Sequence, residues 1–163
     1  MKNNRIISID SSTKKSAYAV FDDENYTMSE LIVCNEKDMD ERFKNMSLNL
    51  LNILSNQKPN VVYIEDTVVP RNVQTQRFLT RLQGVVYAYC VMNGCEFHTI
   101  RPTVWRKLVG IIQGKKKRDE LKKAAIKLVM DKFGMIVSDD EAEAVLIGIA
   151  AIRQSKQQNE VDK

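Results

Sequence analysis

The sequence predicts an α/β protein: one mixed β-sheet flanked by helices, in a single domain. Three observations carry that class. The first third of the chain holds short β-rich runs separated by polar turns, the pattern of a strand meander. Helical and strand-like periods then alternate, which builds a sheet with helices packed on it. No linker and no internal repeat divides the 163 residues, a length suited to one domain with a substantial core. Residues 1–153 are read as the domain and 154–163 as a polar C-terminal tail, frayed after Arg153.

Each element has a local cause. Residues 5–10 are an Ile-rich strand, closed by the polar turn Ser11-Ser12-Thr13-Lys14-Lys15. Residues 16–21 form the second strand and, after a turn over 22–25, residues 26–33 form the third. Between 40 and 56, Phe43, Met46, Leu50, Leu51 and Leu54 recur at helical spacing. Pro59 cannot continue that helix and ends it. Residues 61–64 are apolar on both faces, as in a strand from the middle of a sheet. A loop over 67–74 leads to a long helix over 75–92, with Phe78, Leu82, Val85, Val86 and Tyr89 on its buried stripe and Gly84 either allowing close packing or simply tolerated. Residues 95–100 are a short strand, and Pro102 begins a helix-like turn through Lys107. A lysine-rich loop over 110–117 precedes an amphipathic helix over 119–133, with Leu121, Ala125, Leu128 and Val129 inward. Ser138 caps the last helix, and Glu141 completes a capping box.

Composition narrows the function classes. No apolar run approaches the roughly 20 residues that span a bilayer. Residues 1–5 lead straight into a strand without the apolar core of a signal peptide, so a cytoplasmic protein with no membrane partner is expected. Cys34, Cys90 and Cys95 lack the companions of a zinc pattern and read as reduced, partly buried thiols. The net charge of +4 is unevenly placed: residues 101–137 hold eleven Lys and Arg against three Asp and Glu, a local charge of +8. Such a segment beside an acid cluster favours a polyanionic substrate.

The acids are the chemical signal. Asp10 ends the run Arg5-Ile6-Ile7-Ser8-Ile9, and Glu65 ends Val61-Val62-Tyr63-Ile64. A carboxylate among apolar residues is costly unless it is solvated, paired or bound to a cation. Asp140 and Glu143 lie three residues apart at a helix start, so both share one face, and the helix N-terminus tolerates anions. Asp139 is the alternate to Asp140 if the helix begins one residue differently. Together Asp10, Glu65, Asp140 and Glu143 are candidate catalytic residues and metal ligands, of a type that suits hard cations. Two Mg²⁺ or Mn²⁺ ions there support in-line displacement at a phosphodiester, with Asp10, from mid-sheet, as the bridging ligand. No nucleophilic side chain is required. His98 lies inside a strand-like run, and the cysteines lack a His–Asx arrangement.

These residues also carry a resemblance. Ile6-Ile7-Ser8-Ile9-Asp10-Ser11-Ser12-Thr13, Val62-Tyr63-Ile64-Glu65 and Asp140-Glu141-Ala142-Glu143-Ala144 resemble the acidic motifs of RuvC-type Holliday junction resolvases, in the RNase H-like nuclease superfamily. Arg71-Asn72 and Gln83-Gly84-Val85-Val86 resemble the linker and long helix after the second acid. Pro102-Thr103-Val104-Trp105-Arg106-Lys107 and the lysines after Gly114 resemble the basic segment, so that the match spans residues 5–152. The resemblance implies an RNase H-like sheet and a homodimer with paired active sites. It also implies Mg²⁺-dependent cutting of symmetric strands at a four-way DNA junction, with no nucleotide cofactor.

Three departures are visible. The family's glycine-rich turn after the first acid is Ser11-Ser12-Thr13, and the final acid, often Asp or His, is Glu143. Thr67-Val68 stand where bacterial members place an aromatic residue near the junction centre. The chain is in these respects more similar to the phage-encoded branch, whose members accept a wider range of branched DNA. Arg71, Arg77, Arg106, Lys107, Lys115, Lys116, Lys117 and Arg118 are the candidate DNA contacts, with Arg81 near Arg77 on the long helix. Phosphate contacts of this kind position DNA without reading its sequence. Lys122 and Lys123 read equally well as solvated charges, and Trp105 as a core residue or a platform under the basic turn. Two alternatives stay open: a different RNase H-like nuclease acting on RNA-containing or single-stranded substrates, and a catalytically silent protein that binds branched DNA.

Overall fold

Strand β1 (Arg5–Asp10) runs through the centre of the protein, with every residue after Arg5 buried. The computed structural model describes residues 4–66 and 72–161, with side chains through 158. After β1 come β2 (Lys15–Asp22), β3 (Asn25–Val33), α1 (Met39–Gln57), β4 (Val61–Glu65) and α2 (Val73–Asn93). Then follow β5 (Glu96–Ile100), α3 (Pro102–Val109), α4 (Arg118–Phe133) and α5 (Asp139–Val161). The strands form one five-stranded sheet in the order β3-β2-β1-β4-β5. The first three pair antiparallel, while β1, β4 and β5 run parallel, so the sheet is mixed as the sequence predicts.

Register decides where the acids fall. Ile9 pairs with Ile64 across the parallel β1–β4 ladder, so the next residues, Asp10 and Glu65, end side by side at the C-terminal ends of the two strands. Alternation along the strands then divides the core. Ile7, Ile9, Val62 and Ile64 face α1 and α2, packing with Met46, Leu50, Leu54, Leu82 and Val86. Ile6, Ala17, Ala19 and Phe21 face the opposite layer of α3, α4 and α5, with Trp105, Ala125, Val129, Leu146 and Ile147.

Helix α5 approaches β1 and β2 closely because Gly148 lacks a side chain. A Cβ there would lie 2.1 Å from the Phe21 ring and 2.8 Å from Ser8 Oγ. Ser8 Oγ donates to Ala144 O at 2.6 Å, tying the buried strand to the helix at the residue after Glu143. The predicted capping box is present: Glu141 N donates to Ser138 Oγ at 3.2 Å, and Ser138 N donates to Glu141 Oε2 at 3.3 Å.

Several boundaries differ from the sequence expectations. Helix α2 begins at Val73, inside the expected loop, because Asn72 caps it through Thr75 N; residues 67–71 lie outside the described part. The turn expected through Lys107 is a helix to Val109, started by Pro102 near its N-terminus and stopped by Gly110 at φ +88°. The polar segment after Arg153 is helical through Val161 rather than frayed. It contains neither Gly nor Pro, and Lys156 pairs with Glu24 at 2.5 Å. Cys34 and Cys90 are buried and Cys95 half-buried, all unbridged, and no helix among the described residues is long and apolar enough to cross a membrane.

Candidate active site

Three elements bring the acids together. Asp10 and Glu65 close β1 and β4, and the first turns of α5 deliver Asp140 and Glu143. One carboxylate oxygen each from Asp10, Asp140 and Glu143 lie within 4.8 Å of one another. Glu65 lines the same cavity of about 590 Å³, together with Ser11, Thr13, Pro102, Arg106 and Arg118. Asp10, Glu65 and Glu143 are buried, at 6%, 8% and 6% exposure. Asp139 stands outside this cluster: its carboxylate bonds to Lys122 Nζ. Of the two adjacent aspartates, it is Asp140 that enters the cavity.

Burial and mutual repulsion push these carboxyls upward. Asp10 is held well above the usual carboxylate range by desolvation and by the charges of Glu65, Glu143 and Asp140. Burial raises Glu65 from 4.5 to about 7, against a lowering hydrogen bond from Trp105. Glu143 and Asp140 are raised too, mainly by desolvation, with Arg106 opposing at Glu143 and Lys122 at Asp140. Asp139 is lowered by its bond to Lys122. A cluster of buried acids that cannot all ionise alone is the donor set that a divalent cation stabilises. Ligand oxygens about 2.0–2.6 Å from one ion stand no more than roughly 5 Å apart, and the triad spacing fits that limit.

The basic residues separate into groups. Arg106 is drawn into the site: its guanidinium lies 4.8 Å over the Trp105 ring and 3.3 Å from Glu143 Oε1. Arg118 is exposed at the start of α4 and lines the cavity. Lys115, Lys116 and Lys117, just before it in sequence, are exposed, as is Lys107 on α3. Arg77 and Arg81 are exposed on α2, where they line a separate cavity of about 250 Å³ with Asp38 and Asp40. Arg71 lies outside the described residues. His98 stacks on Tyr63 at 4.9 Å in β5 and is absent from the cavity lining.

Two contacts were not legible in advance. Trp105 is fully buried and its Nε1–H donates to Glu65 Oε2 at 2.6 Å. Lys122, for which the sequence leaves a solvated charge and a DNA contact equally open, is only 22% exposed, paired with Asp139 and 3.8 Å from Asp140. Its one advance signal is its position beside Leu121 and one turn before Ala125 on an amphipathic helix.

Comparisons with known proteins bear on the fold and the family. No curated protein matches the sequence. Thermus thermophilus RuvC in complex with Holliday junction substrate superposes with TM-score 0.75 at 13% identity, covering 94% of this chain and 95% of that one. A second structure of Thermus thermophilus RuvC gives 0.73 at 14% identity, over 94% and 96%. The yeast mitochondrial Holliday junction resolvase Ydc2 gives 0.66 at 18% identity, over 97% and 81%. At these identities the likeness establishes the RNase H-like fold. Family comes from the sequence itself, since the model of the family described as "Crossover junction endodeoxyribonuclease RuvC" matches residues 6–151. That match contains Asp10, Glu65, Asp140 and Glu143, and with it the chain belongs to the crossover junction endodeoxyribonuclease RuvC family.

Proposed function

We propose that this divalent-metal-dependent nuclease is a homodimer that cuts symmetric strands of four-way DNA junctions, with two Mg²⁺ per active site. Mn²⁺ substitutes. The observation that carries this reading is the convergence of Asp10, Asp140 and Glu143 within 4.8 Å, with Glu65 lining the same cavity. Asp10, on the central strand, with Glu65, Asp140 and Glu143, would hold the ions. When bound, the ions lower the pKa of an attacking water and stabilise the leaving oxygen of an in-line displacement.

The protein's own groups bind and orient the DNA. Arg106 and Arg118 on the cavity wall suit the non-bridging oxygens of a phosphodiester. Lys107, Lys115, Lys116 and Lys117 extend that footprint over the flanking backbone, with Arg77 on α2 and, from its place in the sequence alone, Arg71. Dimerisation draws support from α2, where Val73, Gly84, Tyr87 and Val91 lie exposed along one stripe at helical spacing. Gly84 has open space around it at the middle of that stripe. Breadth toward other branched DNA follows from the resemblance to the phage-encoded branch. Free thiols at Cys34, Cys90 and Cys95 suit a reducing cytoplasm.

The test is a cleavage panel with mapped incision sites: four-way junction, flap, linear duplex and RNA–DNA hybrid, each with Mg²⁺ and with Mn²⁺. Paired symmetric cuts in the junction are expected. Preferential cutting of the hybrid, or no cutting with either ion, overturns the reading. A monomer by sedimentation at micromolar concentration removes the paired-incision part.

A further inference from the structure

We propose that Trp105 is a positioning residue for the Glu65 carboxylate, its indole N–H setting the direction in which Glu65 faces Asp10, Asp140 and Glu143. The proposal rests on the metal-site reading above. Two hydrogen bonds among the described residues help to hold Glu65. Trp105 Nε1 donates to Glu65 Oε2 at 2.6 Å, and Gln83 Nε2, from α2, donates to the Glu65 backbone oxygen at 3.0 Å. The indole cannot swing away, because Trp105 has no exposed surface and packs in the core with Val109, Val145 and Ile149. Residue order adds a second link: Trp105 grips the acid of β4 while Arg106, the next residue, reaches the acid of α5 at Glu143. A single short helix thus relates two carboxylates that come from distant parts of the sequence.

The chemistry of the donor matters. An indole N–H is a donor only and carries no charge. It can orient a carboxylate without adding a positive charge that competes with a cation, as a lysine or arginine in its place would. Outer partners of metal ligands typically contribute about 10- to 100-fold in metal affinity by holding the ligand ready. Trp105 is therefore expected to raise divalent-ion affinity while making no contact with the reacting atoms.

Trp105 is the only tryptophan in the chain, so its emission reports directly on the contact. Titrating the metal-free protein with Mg²⁺ is expected to give a saturable change in Trp emission that Glu65→Gln abolishes. In Trp105→Phe, calorimetry with Mn²⁺ is expected to show roughly 10-fold weaker binding. The Mg²⁺ concentration for half-maximal junction cleavage should rise in step, with kcat at saturating metal close to wild type. Unfolding in EDTA reports the folding of this variant. If Trp105→Phe binds Mn²⁺ as tightly as wild type, the positioning role is wrong and the metal site stands. If Trp105→Phe does not fold, the wild-type titration decides: calorimetric saturation with unchanged emission overturns the proposal. If the wild type binds neither ion, the metal-site reading itself has failed.

Discussion

Lys122 on α4 pairs with Asp139 at the start of α5, and that pairing leaves two adjacent aspartates in different surroundings. Asp139 is neutralised at the margin of the site, while Asp140 joins Asp10 and Glu143 in the cavity. Asp139→Ala is accordingly expected to retain cleavage within a few-fold of wild type. Asp140→Asn should lose more than the roughly 10- to 100-fold typical of an outer partner if Asp140 is a ligand, as proposed. Asp10→Asn and Glu65→Gln should abolish cleavage while junction binding, measured by gel shift in Ca²⁺, survives. Equal losses of activity in Asp139→Ala and Asp140→Asn would contradict the separation.

Glu65 makes the stability of the metal-free protein depend on pH. Its folded-state pKa is raised from 4.5 to about 7, so the folded state keeps a proton that the unfolded chain releases. This contribution is fully present below the unfolded value and is lost as pH rises through the folded one. Asp10, Asp140 and Glu143 shift in the same direction, whereas Asp139 shifts in the opposite one. In EDTA, Tm is therefore expected to fall from about pH 5 to about pH 7.5, and the gain in Tm on adding Mg²⁺ to grow over that range. Glu65→Gln should raise Tm in EDTA more at the higher pH. A pH-independent difference between Glu65→Gln and wild type would refute the assignment.

Gly148 sets how close α5 can come to the sheet. With a Cβ 2.1 Å from the Phe21 ring, Gly148→Ala forces an aromatic core residue or the helix to move. Overpacking of this kind typically costs about 1–3 kcal/mol. A lower Tm is expected, together with weaker metal binding, because the same helix carries Asp140 and Glu143. Unchanged Tm and unchanged Mn²⁺ affinity would show that the added methyl is absorbed without moving the helix.

The basic loop before α4 should act through phosphate alone. Replacing Lys115, Lys116 and Lys117 by alanine is expected to weaken junction and duplex binding by similar factors. The slope of log K against log salt should flatten by roughly 0.9 for each phosphate that the variant no longer neutralises. Binding measured between about 50 and 200 mM salt supplies the test. Weakening confined to one DNA sequence would point instead to base recognition.

Local order alone determined the strands, the helix periods, the capping box at Ser138 and the two carboxylates that close apolar runs. Each of these follows from residues within a few positions of one another, where backbone preference and periodicity act. The mixed sheet flanked by helices followed from their order along the chain. Tertiary structure decided the rest. The Ile9–Ile64 register set Asp10 beside Glu65, and Gly148 let α5 bring Asp140 and Glu143 to them. Lys122 excluded Asp139, and Trp105, forty residues from Glu65 in sequence, supplied its hydrogen bond. Those choices depend on distances between segments remote in sequence, which neither periodicity nor capping encodes. Acid identity is a property of the chain, but which acids share a cavity is a property of how the sheet and three helices pack.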